Sequence, residues 1–208
     1  MIFIYLVTTL ISFFWLLKII FFKKIFLKKT FFDFFILFFL LSQIISTIFS
    51  IDVHTSIFGY YGRFNGGLLS IFTYLVLYYA AVSNLSFNEV KKILKISLLS
   101  SFLVILWGLP GKFGYDLSCY VFTGQLNNTC WTDQFKPAER VFSTLGQPNW
   151  LGAYLAINFF LGLYFFSLGE EKKSFFLNLY LLLNFIFILF TRSRSAFLAV
   201  GFCFILYL

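Results

Sequence analysis

A single histidine, His54, stands among the 208 residues, with only three cysteines and three prolines. One imidazole excludes a multi-histidine metal centre. No phosphate-binding glycine loop, zinc-ligand spacing, Ser-His-Asp arrangement or internal repeat occurs either. Charge is equally scarce: 12% of residues are ionic, and only 8 are acidic. Segments that alternate apolar and polar residues at strand length are absent, which argues against a membrane barrel.

What fills the chain instead is apolar surface. Sixty-one per cent of residues are hydrophobic and 34 are Phe. A soluble domain of this size cannot hide that much, because a large share of its residues must face water. The sequence therefore predicts an integral membrane protein. Lipid offers no partner for backbone N–H and C=O groups, so helices are expected. The net charge of +8 then raises a question of membrane side, not of nucleic acid.

Apolar runs at 2–22, 31–51, 67–85, 93–109, 149–168 and 175–190, with a seventh from 195, predict an all-α transmembrane bundle of about seven spans. The first lacks a basic start and a small-residue cleavage site, so it reads as a span rather than a leader. Lys23, Lys24, Lys28 and Lys29 mark a first inner loop. Lys91, Lys92 and Lys95 mark a second, and Glu170, Glu171, Lys172 and Lys173 a third. Alternation puts the N-terminus, residues 52–66 and the long loop 110–148 outside. Pro110-Gly111 is expected to break the fourth span. Residues 1–208 read as one transmembrane domain. The short last run suggests the N-terminal portion of a longer one.

Cys119 and Cys130 share the outer loop. On an oxidising face they can pair, and otherwise they are two free thiols. Cys203 reads as an apolar filler inside a helix.

The basic residues sort by type. The inner loops and flanks hold ten lysines and no arginine, and all four arginines (Arg63, Arg140, Arg192, Arg194) fall outside. The positive-inside rule treats the two alike, so it does not explain this split. A guanidinium fork binds phosphate through paired hydrogen bonds and stays charged when partly buried. Helix N-termini near Arg63 and Arg194 would add N–H groups suited to an anion. The bland alternative is pairing with Asp52, Asp116, Asp133 or Glu139, or with lipid headgroups. His54 reads as a solvated surface residue.

The stretch 140–154, Arg-Val-Phe-Ser-Thr-Leu-Gly-Gln-Pro-Asn-Trp-Leu-Gly-Ala-Tyr, crowds Gln147 and Asn149 at the entry to a span. Pro148 suits the first helical turn, where its missing N–H costs nothing.

Three segments together resemble the O-antigen ligase and O-antigen polymerase family. They are Tyr-Gly-Arg-Phe-Asn-Gly-Gly-Leu at 61–68, the 140–154 stretch, and Ser193-Arg194-Ser195-Ala196. The likeness runs from about residue 50 to the end of the sequence. It implies a membrane glycosyltransferase at the outer face of the cell membrane, acting in cell-envelope polysaccharide biosynthesis. The donor would be a polyprenyl-pyrophosphate-linked glycan, such as one on undecaprenyl pyrophosphate, and the acceptor a glycan, lipid or protein hydroxyl. It implies no metal or nucleotide cofactor and no nucleic-acid partner. Arg194 matches best as the pyrophosphate ligand, then Arg63. Arg140, Asn149 and Gln147 lie in matching segments. Arg192 departs from the pattern, where a small residue is common. The family's catalytic base lies in a late outer loop beyond residue 208, so this chain is expected to hold the carrier-binding half. Two rival readings are a transporter or flippase for a lipid-linked anion and a structural membrane subunit.

Overall fold

The computed structural model describes residues 1–24, 26–62, 64–132, 136–168 and 175–207. Among the described residues the regular structure is helical, with no strand. Three helices are long and apolar enough to cross a membrane: α1 (Ile2–Phe22), α5 (Phe87–Lys112) and α7 (Pro148–Ser167). Four more apolar helices are shorter: α2 (Asp33–Ile48), α4 (Leu68–Asn84), α8 (Phe175–Thr191) and α9 (Arg194–Tyr207). At 1.5 Å per residue these four reach roughly 21–26 Å, against roughly 30 Å of hydrocarbon. Each of the seven apolar runs is thus a helix, while three meet the length of a crossing. The short helices α3 (Val53–Phe58) and α6 (Leu117–Thr123) lie in polar segments.

Three expectations need correcting. Lys91, Lys92 and Lys95 do not form a loop, because they stand on the first turns of α5. Ser86 and Glu89 explain why the helix starts so early. The Ser86 N–H and hydroxyl both donate to Glu89 Oε2 at 2.7 Å, a capping box. Nor does Pro110 end the fourth span. The helix runs on to Lys112, and the Pro110 carbonyl accepts from the N–H groups of Phe113 and Tyr115. The stretch 110–148 is likewise not all loop. It holds the end of α5, α6, a single 3-10 turn at Ser143–Leu145 and the first residue of α7.

The chain divides into two compact units, Met1–Glu89 and Val90–Leu208. In the first, α1 packs along α4. Tyr5 donates its hydroxyl to the Phe64 carbonyl at 2.7 Å, and Lys18 Nζ donates to Asn84 Oδ1 at 2.8 Å. These pairs join the start of α1 to the start of α4, and end to end. Asp33 opens α2 and accepts from the Thr30 N–H, the Thr30 hydroxyl and the Tyr79 hydroxyl. Asp52 caps α3 by accepting from the Thr55 N–H at 3.1 Å and the Thr55 hydroxyl at 2.5 Å. Those bonds hold its carboxyl below the usual carboxylate range. Gly67 lets the chain enter α4: a Cβ there would stand 2.4 Å from the Ile57 carbonyl oxygen.

In the second unit α7 packs against both α8 and α9. Leu151, Leu155, Phe165, Phe187 and Ile188 form the centre of its core, joined by Ile105 of α5. Polar groups are buried there too. Asn184 Nδ2 donates to the Tyr180 hydroxyl at 2.8 Å, and Tyr180 lies 2.7 Å from the Ser101 hydroxyl, which reaches the Leu98 carbonyl. Ser97 donates to Asn158 Oδ1 at 2.8 Å. These contacts tie α5 to α7 and α8 in a medium where unmade hydrogen bonds are costly. By contrast α2 buries no residue in its unit, and Phe34, Phe35, Phe38 and Phe39 are exposed on it, as lipid contact requires.

Candidate functional site

The second unit brings two of the three sequence segments together, at the end where α5 and α8 finish and α7 and α9 begin. Residues 138–143 form the hub. Val141 and Phe142 are buried, although they sit in a stretch that reads as polar loop. The Val141 N–H donates to the Phe190 carbonyl at 3.1 Å. Lys112 Nζ donates to the Ala138 carbonyl at 2.6 Å and lies 5.2 Å over the Phe190 ring. Ser143 adopts φ 49° and donates its hydroxyl to the Val104 carbonyl at 2.7 Å. Gly108 makes that approach possible, since a Cβ there would meet Ser143 Cβ at 2.8 Å.

Arg140 leaves this hub in two directions. Its Nε donates to the Thr191 carbonyl at 3.2 Å and its Nη2 to Asn149 Oδ1 at 3.1 Å. The last carbonyls of a helix lack intrahelical donors and carry partial negative charge, so a cation at the end of α8 is favourable. Two of the five guanidinium N–H donors are used in this way. Pro148 opens α7 as its first residue, as the sequence predicts, and Gln147 is the extended residue before it.

A second contact joins the same segments. Gly152 of α7 faces the 191–196 turn so closely that a Cβ would meet Ala196 Cβ at 2.9 Å and Ser193 Cβ at 3.0 Å. Thr191 and Ser193 are fully buried. The Ser193 N–H donates to Thr191 Oγ1 at 3.3 Å, and the Ala196 N–H to Ser193 Oγ at 3.5 Å, so Ser193 caps α9. Arg192, at φ 49°, and Arg194 flank this buried serine and are exposed. Neither makes a hydrogen bond or ion pair among the described residues.

A small cleft of about 90 Å³ opens at the hub, lined by Lys136, Glu139, Arg140, Gln147, Pro148 and Asn149, with Phe142 beneath. Sequence reasoning found Arg140, Gln147 and Asn149. It missed Lys136 and left Glu139 as one of five outer groups, with Asp52, His54, Asp116 and Asp133, none of them singled out. The structure describes four of those five and gives them different surroundings. Asp52 caps α3, and Asp116 caps α6 and accepts from the Trp131 indole. His54 is exposed and lies against the Phe58 ring. Asp133 lies outside the described residues, and Glu139 lines the cleft. Arg63 also lies outside the described residues, and its neighbours belong to the first unit.

Cys119 and Cys130 form a disulfide with Cα atoms 5.6 Å apart, closing a loop that carries α6. Trp131 follows at once and packs its ring edge-on to Phe142, centroids 4.8 Å apart. The disulfide loop is thereby anchored beside the hub.

The fold defines the class: an all-helical membrane protein with a polar, cation-bearing end on its second unit. No family model matches the chain, and neither a characterised protein nor a solved structure does.

Proposed function

We propose that the chain binds the pyrophosphate of a polyprenyl-linked glycan and serves glycan transfer to an acceptor hydroxyl at the outer membrane face. The observation that carries this reading is the pair of hydrogen bonds that Arg140 donates, one to Asn149 and one to Thr191. It seats the 140–154 and 191–196 segments at one end of one unit. In this reading all seven apolar helices cross the cell membrane, and the Arg140 end faces outward.

The reaction needs two kinds of group. The acceptor oxygen attacks the anomeric carbon, and the bond from that carbon to the pyrophosphate oxygen breaks. The electron pair leaves with the pyrophosphate, whose growing charge is suited to Arg194, Arg192 and the open donors of Arg140. The acceptor proton passes to a base. Glu139, which lines the cleft beside Arg140, is the carboxylate we assign to that end of the site.

Retention of polyprenyl pyrophosphate by the purified protein tests the reading. Wild type is expected to retain it and Arg194→Ala to lose most of it. Equal retention by both proteins counts against the assignment. A transporter would bind the same anion without transfer, so release of free carrier pyrophosphate on adding acceptor separates the two.

A further inference from the structure

The first unit carries a groove that the reading above does not use. Its walls follow helical spacing. Ile11, Phe14, Trp15 and Lys18 lie on one face of α1, at intervals of three and four. Leu77, Ala80, Ala81 and Asn84 lie on the facing side of α4, with Leu85 just past its end. The two small alanines open a space of about 550 Å³ between the helices, lined almost wholly by carbon.

Charge is concentrated at one end. Lys18 Nζ donates to Asn84 Oδ1 at 2.8 Å and lies 4.7 Å from the Phe26 ring centroid. An ammonium has three donors, and an amide oxygen brings no negative charge. The carboxylates of this unit are occupied elsewhere: Asp33 with Thr30 and Tyr79, Asp52 with Thr55, and Glu89 with Ser86. Lys18 thus has no carboxylate partner among the described residues. Lys23 and Lys24 follow on the same helix end and are exposed. Trp15 adds a second polar atom, since its indole N–H is buried without a hydrogen-bond partner among the described residues.

We propose that this groove holds an acyl chain of an anionic phospholipid, with the lipid phosphate on Lys18 and an ester carbonyl within reach of the Trp15 indole. A free phosphate would leave the apolar walls unused. An uncharged tail would leave the Lys18 ammonium with an amide oxygen and an aromatic ring but no anionic partner. Only a molecule with an anionic head and an apolar tail answers both features.

Native mass spectrometry of the full chain in mixed phosphatidylglycerol and phosphatidylcholine tests the proposal. Wild type is expected to keep phosphatidylglycerol over phosphatidylcholine by about tenfold, the effect of one charge-assisted contact. Lys18→Gln should level that preference, and Lys24→Gln, on an exposed site, should keep it. Ala81→Leu fills the groove and should reduce retention of both lipids. Equal retention of the two lipids by wild type overturns the proposal. So does a preference that survives Lys18→Gln, or a lipid-free dimer that shows the groove to be a contact between copies. If Lys18→Gln does not fold, quenching of wild-type tryptophan by acyl-brominated lipids decides: stronger quenching by the phosphatidylglycerol form supports the site, and equal quenching rejects it.

Discussion

Gly152 on α7 lies so close to Ala196 on α9 that a Cβ at Gly152 would stand 2.9 Å from the alanine Cβ. Real side chains do not pack at that distance, so the helices must part to admit one. Gly201 is a matched control, because it lies inside α9 with open space where its Cβ would go. Overpacking costs about 1–3 kcal/mol, and alanine recovers up to about 1 kcal/mol of helix propensity. Gly152→Ala should therefore lower the midpoint of thermal unfolding in detergent, and Gly152→Val should lower it further. Gly201→Ala should not lower it. A Gly152→Val protein as stable as wild type would show that α7 and α9 are not packed here.

The Cys119–Cys130 bond closes a short loop, and the chain-entropy model assigns about 3 kcal/mol to such a closure. Alkylation under denaturing, non-reducing conditions should label Cys203 alone, the free cysteine of the chain. After reduction all three cysteines should react. Cys119→Ala should lower the unfolding midpoint and loosen Trp131 from Phe142, which tryptophan fluorescence reads. Labelling of all three before reduction would refute the pairing.

The helices were legible because long apolar runs leave the chain few choices in lipid. Their ends were harder. Ser86 and Glu89 spell a cap, but the lysines behind them mimic a loop. The proline at 110 promises a break only if its place in the last turn is unknown. The site was legible in part. Arg140 and Asn149 could be named from local pattern, whereas their meeting with Thr191 depends on Val141 and Phe142 sinking into the core. That burial is secured by the Phe190 and Val104 carbonyls, far away in sequence. No local pattern announces such a bond, so Glu139 and Lys136 passed as ordinary loop charges.

Buried polar groups in the second unit give predictions of different size. Tyr180 accepts from the Asn184 amide and donates to Ser101, whose own proton goes to the Leu98 carbonyl, so Tyr180→Phe strands a donor on one side and an acceptor on the other. Hydrogen bonds between membrane helices average about 0.6 kcal/mol and reach about 1.7. Tyr180→Phe should cost a value in or near that range. The Asn184 carbonyl oxygen is buried with no partner among the described residues. Asn184→Leu removes that unmet acceptor with little change in volume, and should cost less than Tyr180→Phe. Unfolding in mixed micelles measures both, and the reverse ranking would sink the argument.

Asp52 gives a pH dependence. Its bonds from Thr55 hold the carboxyl below its usual range, so the folded cap binds a proton less readily than the unfolded chain. The stabilisation is therefore present above the ordinary aspartate range and is lost as pH falls through the depressed value. Hydrogen exchange at the Thr55 amide should quicken, relative to its intrinsic rate, on acidification through that window. Asp52→Asn should remove the dependence. An unchanged protection factor in wild type across the same window would contradict it.

Arg140 and Arg194 should separate cleanly by experiment, because the structure gives them different work. Arg140 bridges a helix end and the first turn of α7, two acceptors that diverge from one planar group. A lysine there can satisfy one of them at a time, since its ammonium is a single point on a flexible stem. Arg140→Lys should lose part of the stability that Arg140→Ala loses in full, about 1–3 kcal/mol for a charge-assisted pair at a partly solvated site. Arg194 is exposed and makes no bond among the described residues, so Arg194→Ala should leave the unfolding midpoint where it is. Its effect should fall on anion retention instead. Arg140→Ala, if it folds, should weaken both, because the Arg194 turn is seated on Thr191 through the bond it removes. A midpoint lowered as much by Arg194→Ala as by Arg140→Ala would mean that the exposed arginine is part of the packing, and the division between scaffold and ligand site would fail.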